Sequence, residues 1–356
     1  MSPKPRRGIL DIAPYVPGRA KAEGIAEVRK LSSNESALGS SPKALAAYRA
    51  AAERLFRYPD GDSTALRAAI AARYGLKPER LICGAGSDDI LMLLAQAYIG
   101  PGDEALMTRH GFLLYENFTR TVGGTIVKVP ETDLTADADA LLAAVTEKTR
   151  IVYLANPNNP TGTYLPAAAL KRLHRGLPRD VILVIDAAYA EYVRRNDYES
   201  GIELVAENDN VVMTRTFSKI HGLAGLRIGW GYGPAAVIDT LNRVRGPFNV
   251  SLPAQAAAIA SIEDREFIDA AVIHNERWLA WLASEISGLG LAITPSVANF
   301  VLVHVPGRAK EIEAALASRG IMVRAVAAYG LPDHLRISVG RESDNRALIA
   351  ALRELL

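Results

Sequence analysis

Cysteine is almost missing from this sequence. Cys83 is the one thiol in 356 residues, which excludes an intrachain disulfide and any cysteine-rich zinc site. It reads as a buried small hydrophobe in a reducing compartment. An excess of either charge is missing too: 41 Lys and Arg stand against 39 Asp and Glu, a net charge of +2. No run of Lys or Arg exceeds two residues. A nucleic-acid or membrane-surface partner calls for a basic face, and neither feature supplies one. Long apolar runs are absent, none approaching the roughly 18–20 residues of a membrane span. The basic start offers only Gly8, Ile9 and Leu10 before Asp11, far short of the about 7–15 apolar residues of a secretory signal. The expectation is a cytoplasmic protein. Internal repeats and low-complexity linkers are also lacking.

What is present is the composition of a globular protein, 49% apolar and 22% charged, on a chain long enough for about two domains of roughly 150 residues. Short apolar runs bounded by Gly, Pro, Asn or Asp predict strands at Leu81–Cys83, Ala105–Met107, Thr125–Val129, Ile151–Leu154, Val181–Ile185 and Val211–Thr214. Between them, stretches such as Asp88–Tyr98 and Leu165–Arg175 carry apolar residues at helical spacing. This alternation predicts an α/β protein with a mostly parallel sheet covered by helices on both faces. After Pro247 the texture changes. A long helical region over Leu252–Ser287 precedes runs at Phe300–Val305, Ile321–Arg324 and Leu335–Val339, with helices near Lys310–Ser318 and from Ser343. The expected organisation is an N-terminal segment over residues 1–30, a large domain over 31–246 and a smaller α+β domain over 247–356. The first segment, with Pro3, Pro5, Pro14 and Pro17, forms no sheet unit of its own and is expected to pack on the small domain.

The chemically informative residues fall at predicted strand ends, where open α/β sheets place their ligands. Gly84-Ala-Gly-Ser-Asp88 leaves one strand and opens a helix. Glycines let backbone N–H groups approach an anion, and the helix N-terminus adds a positive dipole end. The glycine spacing matches neither the dinucleotide nor the P-loop pattern. Asp186 ends the apolar run Val181–Ile185. It reads either as a cap or as a buried carboxylate holding a protonated pyridine nitrogen, with Tyr189 placed to meet a phenolic oxygen on the same ring. Lys219 follows the strand Val211–Thr214 within Thr216-Phe-Ser-Lys-Ile-His221. A lysine is ordinarily a solvated surface charge. Here Thr216 and Ser218 offer hydroxyls, and Arg227, eight residues on, offers a fork that matches phosphate geometry. His221 reads as structural, and Met213, Phe217 and Trp230 as core.

The order Gly-x-Gly-Ser-Asp, Tyr115, Asn156-Pro-Asn-Asn-Pro-Thr-Gly162, Asp186-x-x-Tyr189, Ser218-Lys219, Arg227 and the late Arg336 resembles the fold-type I, class I/II aminotransferases that use pyridoxal 5′-phosphate. Within them the chain most resembles the histidinol-phosphate aminotransferases. The likeness runs from Ala13-Pro-Tyr-Val-Pro-Gly-Arg19 and Leu31-Ser-Ser-Asn-Glu-Ser36 to Leu335-Arg-Ile-Ser-Val-Gly340. It implies a large domain with a mostly parallel seven-stranded sheet and a smaller α+β domain. It further implies that Lys219 carries the cofactor as a Schiff base and shuttles a proton, and that Asp186 pairs with the ring nitrogen. Asn159 and Tyr189 would contact the ring oxygen, and Tyr115 would stack on the ring face. Ala85, Gly86, Ser87, Thr216, Ser218 and Arg227 would hold the phosphate. Tyr58, in Tyr58-Pro-Asp-Gly-Asp62, would reach that phosphate from a second subunit, so a homodimer with shared sites is implied. No metal is implied.

For substrate, the resemblance implies transfer of an amino group from L-histidinol phosphate to 2-oxoglutarate in histidine biosynthesis, with aromatic amino acids as further donors. Arg336 would take an α-carboxylate, with Asn159 beside it. Tyr15 and Arg324 would face the distal phosphate. Phe248 stands where some members have Tyr, which removes a hydroxyl donor and keeps open an aromatic or prephenate aminotransferase. A threonine-phosphate decarboxylase shares most of these motifs. A non-catalytic sensor of a transcription regulator would join the fold to a winged helix, and no basic helix-turn-helix precedes residue 30.

Overall fold

A computed structural model of the protein describes residues 3–6, 8–19 and 28–356. Of the expected N-terminal segment, residues 1, 2, 7 and 20–27 lie outside the described residues. In chain order the strands are β1 (Arg29–Lys30), β2 (Leu81–Gly84), β3 (Glu104–Thr108), β4 (Thr125–Val129), β5 (Thr149–Ala155), β6 (Ile182–Asp186) and β7 (Val211–Thr216). They continue as β8 (Gly229–Tyr232), β9 (Ala292–Thr294), β10 (Phe300–His304), β11 (Ile321–Met322), β12 (Arg324–Val326) and β13 (Leu331–Ser338).

Seven strands make one sheet in the order β2-β8-β7-β6-β5-β3-β4. It is the mostly parallel seven-stranded sheet that was expected, with β8 running antiparallel to both its neighbours. Successive side chains on a strand point to opposite faces, and the core follows that period of two. Leu183, Ile185, Val211 and Met213 join one apolar cluster, while Ile182, Val184 and Val212 join another on the opposite face. Both faces are covered, which is why β6 reads as an unbroken apolar run.

β8 is the strand the sequence hides, because Gly229-Trp-Gly-Tyr232 carries no β-branched residue. Its glycine is a packing requirement. A Cβ on Gly229 would sit 2.3 Å from the Ser87 backbone nitrogen and 2.9 Å from the Arg215 carbonyl oxygen. Only a bare backbone lets the turn after β2 lie this close to β7 and β8.

The smaller sheet is antiparallel, β12-β13-β10-β9. Its apolar face packs Val301, Val303, Leu335 and Ile337 against Trp278, Leu282, Leu316 and Leu352 from three helices. The helical region expected over 252–287 is two helices, Leu252–Glu263 and Arg265–Gly288, parted at Asp264. Asp264 accepts a bond from Ser41 Oγ at 2.5 Å and pairs with Lys43 at 3.0 Å. The first of these helices adds Ala254, Ala257, Ala258 and Ile262 to the large sheet's cluster. The core therefore changes hands later than the texture change at Pro247, and the small sheet's cluster draws on the second helix from Trp278 onward.

The N-terminal residues touch both bodies. Arg6 Nη2 donates to the Thr121 carbonyl at 2.6 Å, Arg324 Nη2 donates to the Val16 carbonyl at 3.0 Å, and β1 pairs in parallel with β11.

Candidate active site

The ends of β2, β5, β6 and β7 open on one cavity of about 340 Å³, closed from the other side by residues 15–18, 33–35 and β12–β13. Lys219, Asp186, Tyr189, Asn159, Ser87, Thr216, Ser218, Arg227, Tyr15, Arg324 and Arg336 all line it. Most of the residues singled out from sequence thus meet in one place.

One end is an anion cradle. Gly86 has φ +92°, a left-handed conformation that favours glycine, and its bare Cα lets Arg227 Nη2 come within 2.7 Å of where a Cβ would stand. Behind it Ser87 opens the helix Ser87–Tyr98, whose first backbone N–H groups have no helical acceptors. Arg227 Nη1 donates to Ser218 Oγ at 3.2 Å and to the Ala224 carbonyl at 3.0 Å, and Nη2 meets Asp88 at 3.4 Å. Thr216 Oγ1 accepts from the Ser218 backbone N–H at 3.1 Å. Ala85 stands in the turn, its N–H donating to Asp89 Oδ2 at 2.9 Å. Hydroxyls, a helix N-terminus and a guanidinium together suit a phosphate monoester.

Across the cavity floor lies Asp186, 7% exposed. Tyr115 donates to its Oδ2 at 2.8 Å and Thr214 Oγ1 to its Oδ1 at 3.3 Å. Burial still pushes its pKa up to about 6, against which those two donors act. A buried carboxylate in that state favours a cation placed beside it.

Tyr115 does not line the cavity, and the stacking role expected for it is corrected. Its ring lies flat on Tyr153, centroids 4.7 Å apart, and its hydroxyl is spent on Asp186. Phe112 and Leu114 reach the cavity instead. The helix begins at Leu114, so the turn of chain before it carries Phe112 into the cavity and Tyr115 beneath the floor.

Lys219 Nζ donates to the Ser33 carbonyl at 3.3 Å and lies 5.6 Å from the Tyr189 ring centroid. Burial, and then the Arg336 charge, pull its pKa down to about 8. Tyr189 is buried, which pushes its pKa up to about 12, and its hydroxyl accepts from Asn34 Nδ2 at 2.9 Å. Arg336 Nη1 donates to Asn159 Oδ1 at 2.5 Å and Nη2 to the Ser32 carbonyl at 2.8 Å, while its buried Nε has no partner. Arg324 sits 5.5 Å from the Tyr15 ring centroid. Ser32, Ser33 and Asn34 thus hold Arg336, Lys219 and Tyr189 in turn. No single-sequence signal marked that strip beyond its place in Leu31–Ser36.

Three residues stand apart. Tyr58 is 81% exposed and stacks on Phe248, centroids 4.6 Å apart, outside this chain's own cavity. Phe248 therefore takes no place beside Arg324 within one subunit. His221 is buried, hydrogen-bonded to Ser261 Oγ at 2.8 Å, and pushed by burial down to about 4. It is a neutral structural group.

A sheet opening on a lysine, a buried carboxylate and an anion cradle defines the class, and the chain belongs to the aminotransferase class I and II family, whose model matches residues 26–352. Its architecture is that of the fold-type I transferases. Histidinol-phosphate aminotransferase of Rhodopseudomonas palustris strain HaA2 is 54% identical over 359 residues, 99% of this chain and 98% of that protein. The strain BisB18 protein of the same name is 55% identical over the same coverage. Among solved structures, histidinol-phosphate aminotransferase from Sinorhizobium meliloti in complex with pyridoxal-5′-phosphate superposes with a TM-score of 0.89 at 31% identity, over 94% of this chain and 93% of that one.

Proposed function

We propose that this chain transfers the amino group of L-histidinol phosphate to 2-oxoglutarate with pyridoxal 5′-phosphate as cofactor, yielding imidazole acetol phosphate and L-glutamate in histidine biosynthesis. The observation that carries the reading is the cavity's polarity. An anion cradle lies at one end, a buried carboxylate on the floor, and two buried arginines, Arg324 and Arg336, at the far side.

The residues present fit the cofactor. Ala85, Gly86, Ser87, Thr216, Ser218 and Arg227 hold its phosphate, Asp186 holds its ring nitrogen protonated, and Asn159 and Tyr189 meet its ring oxygen. Phe112 covers the ring in place of Tyr115. When bound, pyridoxal phosphate supplies the electron sink that stabilises negative charge at the substrate Cα. Lys219 supplies the amine. With its pKa near 8, roughly a tenth is free base at pH 7, against well under a thousandth at the unperturbed value. The same amine moves the substrate Cα proton. Arg336, with an unpartnered Nε, takes the α-carboxylate of glutamate and 2-oxoglutarate. Arg324 and Tyr15 take the distal phosphate of histidinol phosphate.

The working unit is a cytoplasmic homodimer. Leu55, Tyr58 and Phe248 leave large apolar groups exposed around one shallow groove, a patch suited to a second copy. Burying it carries Tyr58 to that copy's cofactor phosphate. Large and small domains divide at the boundary of the two apolar cores, with the helix Leu252–Glu263 on the large side. No helix among the described residues is long and apolar enough to cross a membrane, and a net charge of only +2 gives no support to a nucleic-acid partner.

Spectral titration of the purified holoenzyme tests the reading. Histidinol phosphate and glutamate are expected to bleach the visible absorbance of the lysine-bound cofactor, with release of the matching oxo products. Bleaching by phenylalanine but not by histidinol phosphate would replace this reading with an aromatic aminotransferase. Carbon dioxide from threonine phosphate would replace it with a decarboxylase.

A further inference from the structure

We infer that Asn34 and Ser338 form a directional hydrogen-bond relay that makes Tyr189 an obligatory donor into the cavity. They are positioning residues for the ring oxygen of the cofactor. The inference rests on the reading that this cavity takes pyridoxal phosphate.

The direction of the relay follows from donor and acceptor chemistry. The Asn34 backbone N–H meets Ser338 Oγ at 2.8 Å, and a backbone N–H can only donate. Ser338 Oγ therefore accepts there and must place its own hydrogen elsewhere. Ser338 is buried, and its hydroxyl lies 3.1 Å from Asn34 Oδ1. Turning the Asn34 amide over would bring its NH₂ to Ser338 and strand the buried hydroxyl hydrogen, a loss native interiors avoid. With Oδ1 facing Ser338, Nδ2 faces Tyr189 and donates to its oxygen at 2.9 Å. The Tyr189 oxygen is then an acceptor in that bond. Its single hydrogen is left to point into the cavity that Tyr189 lines, toward the anionic oxygen of a bound pyridoxal ring.

The backbone supports the same assignment. Asn34 has φ +55°, a left-handed conformation that Asn tolerates better than most residues. Its carbonyl accepts from Asn299 Nδ2 at 3.1 Å, so the residue is pinned on three sides. The charged and titratable groups acting on Tyr189 are Arg336 and Asp186, then Tyr15, with the Lys219 nitrogen near its ring face. Neither charge of the first pair fixes which way a hydroxyl hydrogen points. The relay does. It also crosses the whole molecule, since Asn34 precedes the large sheet, Tyr189 follows β6 and Ser338 ends β13.

The test is the pH titration of the visible absorbance of full-length protein reconstituted with pyridoxal 5′-phosphate, a readout independent of turnover. A donor to the ring oxygen stabilises its anionic form and so lowers the pH at which the lysine-bound imine loses its proton. Tyr189→Phe is expected to raise that midpoint by about one pH unit, the scale of one charge-assisted hydrogen bond. Ser338→Ala, a small uncharged change that preserves the fold, is expected to raise it by part of that amount in the native background and not at all in the Tyr189→Phe background. Asn34→Asp offers only acceptors, so it captures the Tyr189 hydrogen and reverses the relay. Its added charge acts in both backgrounds, whereas the reversal acts only where the hydroxyl exists. The Asn34→Asp shift is therefore expected to be about one unit larger in the native background. Equal shifts in the two backgrounds, or an unmoved midpoint in Ser338→Ala, would overturn the relay while leaving the cofactor reading intact. Absence of any Lys219-dependent visible band in the native protein would instead overturn the cofactor reading, and the relay with it.

Discussion

Arg324 and Arg336 face each other directly across the antiparallel pair β12–β13, and both are buried, at 8% and 4% exposure. Like charges so placed repel, and the partners of each are neutral oxygens: Val16 for Arg324, Asn159 and Ser32 for Arg336. Such a pair is stabilised by an anion, and a substrate with an anionic group at either end of its reach supplies one.

The two arginines are expected to divide the substrates between them. Arg324→Ala should lower kcat/KM for histidinol phosphate by roughly ten- to a hundred-fold, the loss of one charged hydrogen bond, and leave phenylalanine nearly unchanged. Arg336→Ala should penalise glutamate and phenylalanine by a similar factor, and histidinol phosphate less, because that donor has no α-carboxylate. Steady-state kinetics of both variants on all three donors decides the matter. Equal losses for histidinol phosphate and phenylalanine in Arg324→Ala would remove its phosphate role.

Cofactor capture should follow the Lys219 amine. With a pKa of about 8, the rate at which apoenzyme takes up pyridoxal phosphate should rise with pH through that value, because only the free base attacks the aldehyde. Arg336→Gln removes the second cause of the depression and should move the midpoint upward. Lys219→Ala should abolish both turnover and the visible band while phosphate contacts still bind cofactor weakly. Stopped-flow absorbance from pH 6 to 10 measures the first two effects.

Asp186 sets cofactor affinity against stability. Its folded pKa of about 6 lies above the 3.8 of a free aspartate, so the charged form is the one the fold disfavours. The sign is then fixed: the cost is full above pH 6, fades as pH falls toward 3.8, and vanishes below it. Asp186→Asn should raise the thermal unfolding midpoint of apoenzyme at pH 7, with the gain shrinking below pH 6, and should weaken cofactor binding by an order of magnitude or more. Calorimetry of the apoenzyme paired with cofactor titration separates the two effects. A destabilised Asp186→Asn apoenzyme at pH 7 would contradict the assignment of burial as the dominant cause.

Tyr115 and Phe112 should fail in different ways. Tyr115→Phe deletes a donor to Asp186, so the pH below which cofactor affinity declines should move up. Phe112→Leu keeps Asp186 intact and should weaken binding without moving that pH. Dissociation constants measured between pH 5 and 8 distinguish them.

Tyr58→Phe should raise the cofactor dissociation constant several-fold without changing the monomer fold, since the residue is exposed on its own subunit. Tyr58→Phe and Lys219→Ala chains, each inactive or weakened alone, should regain one full site per mixed dimer. A fully active monomer in sedimentation velocity would exclude the shared site.

The sheet was legible in the sequence wherever a strand buries both faces, as in Val181–Ile185, because a fully covered strand has to be apolar along its length. β8 was not, since Gly229 and Gly231 record clearance and not burial. Asp186, Lys219 and Arg227 were legible because a charge at the end of an apolar strand, or beside hydroxyls at a turn, is chemically conspicuous. Phe112 and Tyr115 were exchanged because their facing depends on where the helix starts, and Gly111-Phe-Leu-Leu-Tyr115 carries no capping residue to mark it. Asn34 was hidden for a different reason: its partners, Tyr189, Ser338 and Asn299, are more than 150 residues away, and a single sequence carries no trace of such pairing.

The strip Ser32–Asn34 constrains how chains of this design exchange parts. A chimera joined near residue 38 would inherit every strand of the large sheet and the whole anion cradle from one parent. The groups that fasten Arg336, Lys219 and Tyr189 would come from the other. Residues 32–34 and 336–338 therefore travel as one cassette, although more than 300 positions separate them. A crossover that parts them would be expected to give well-folded proteins with a misdirected lysine.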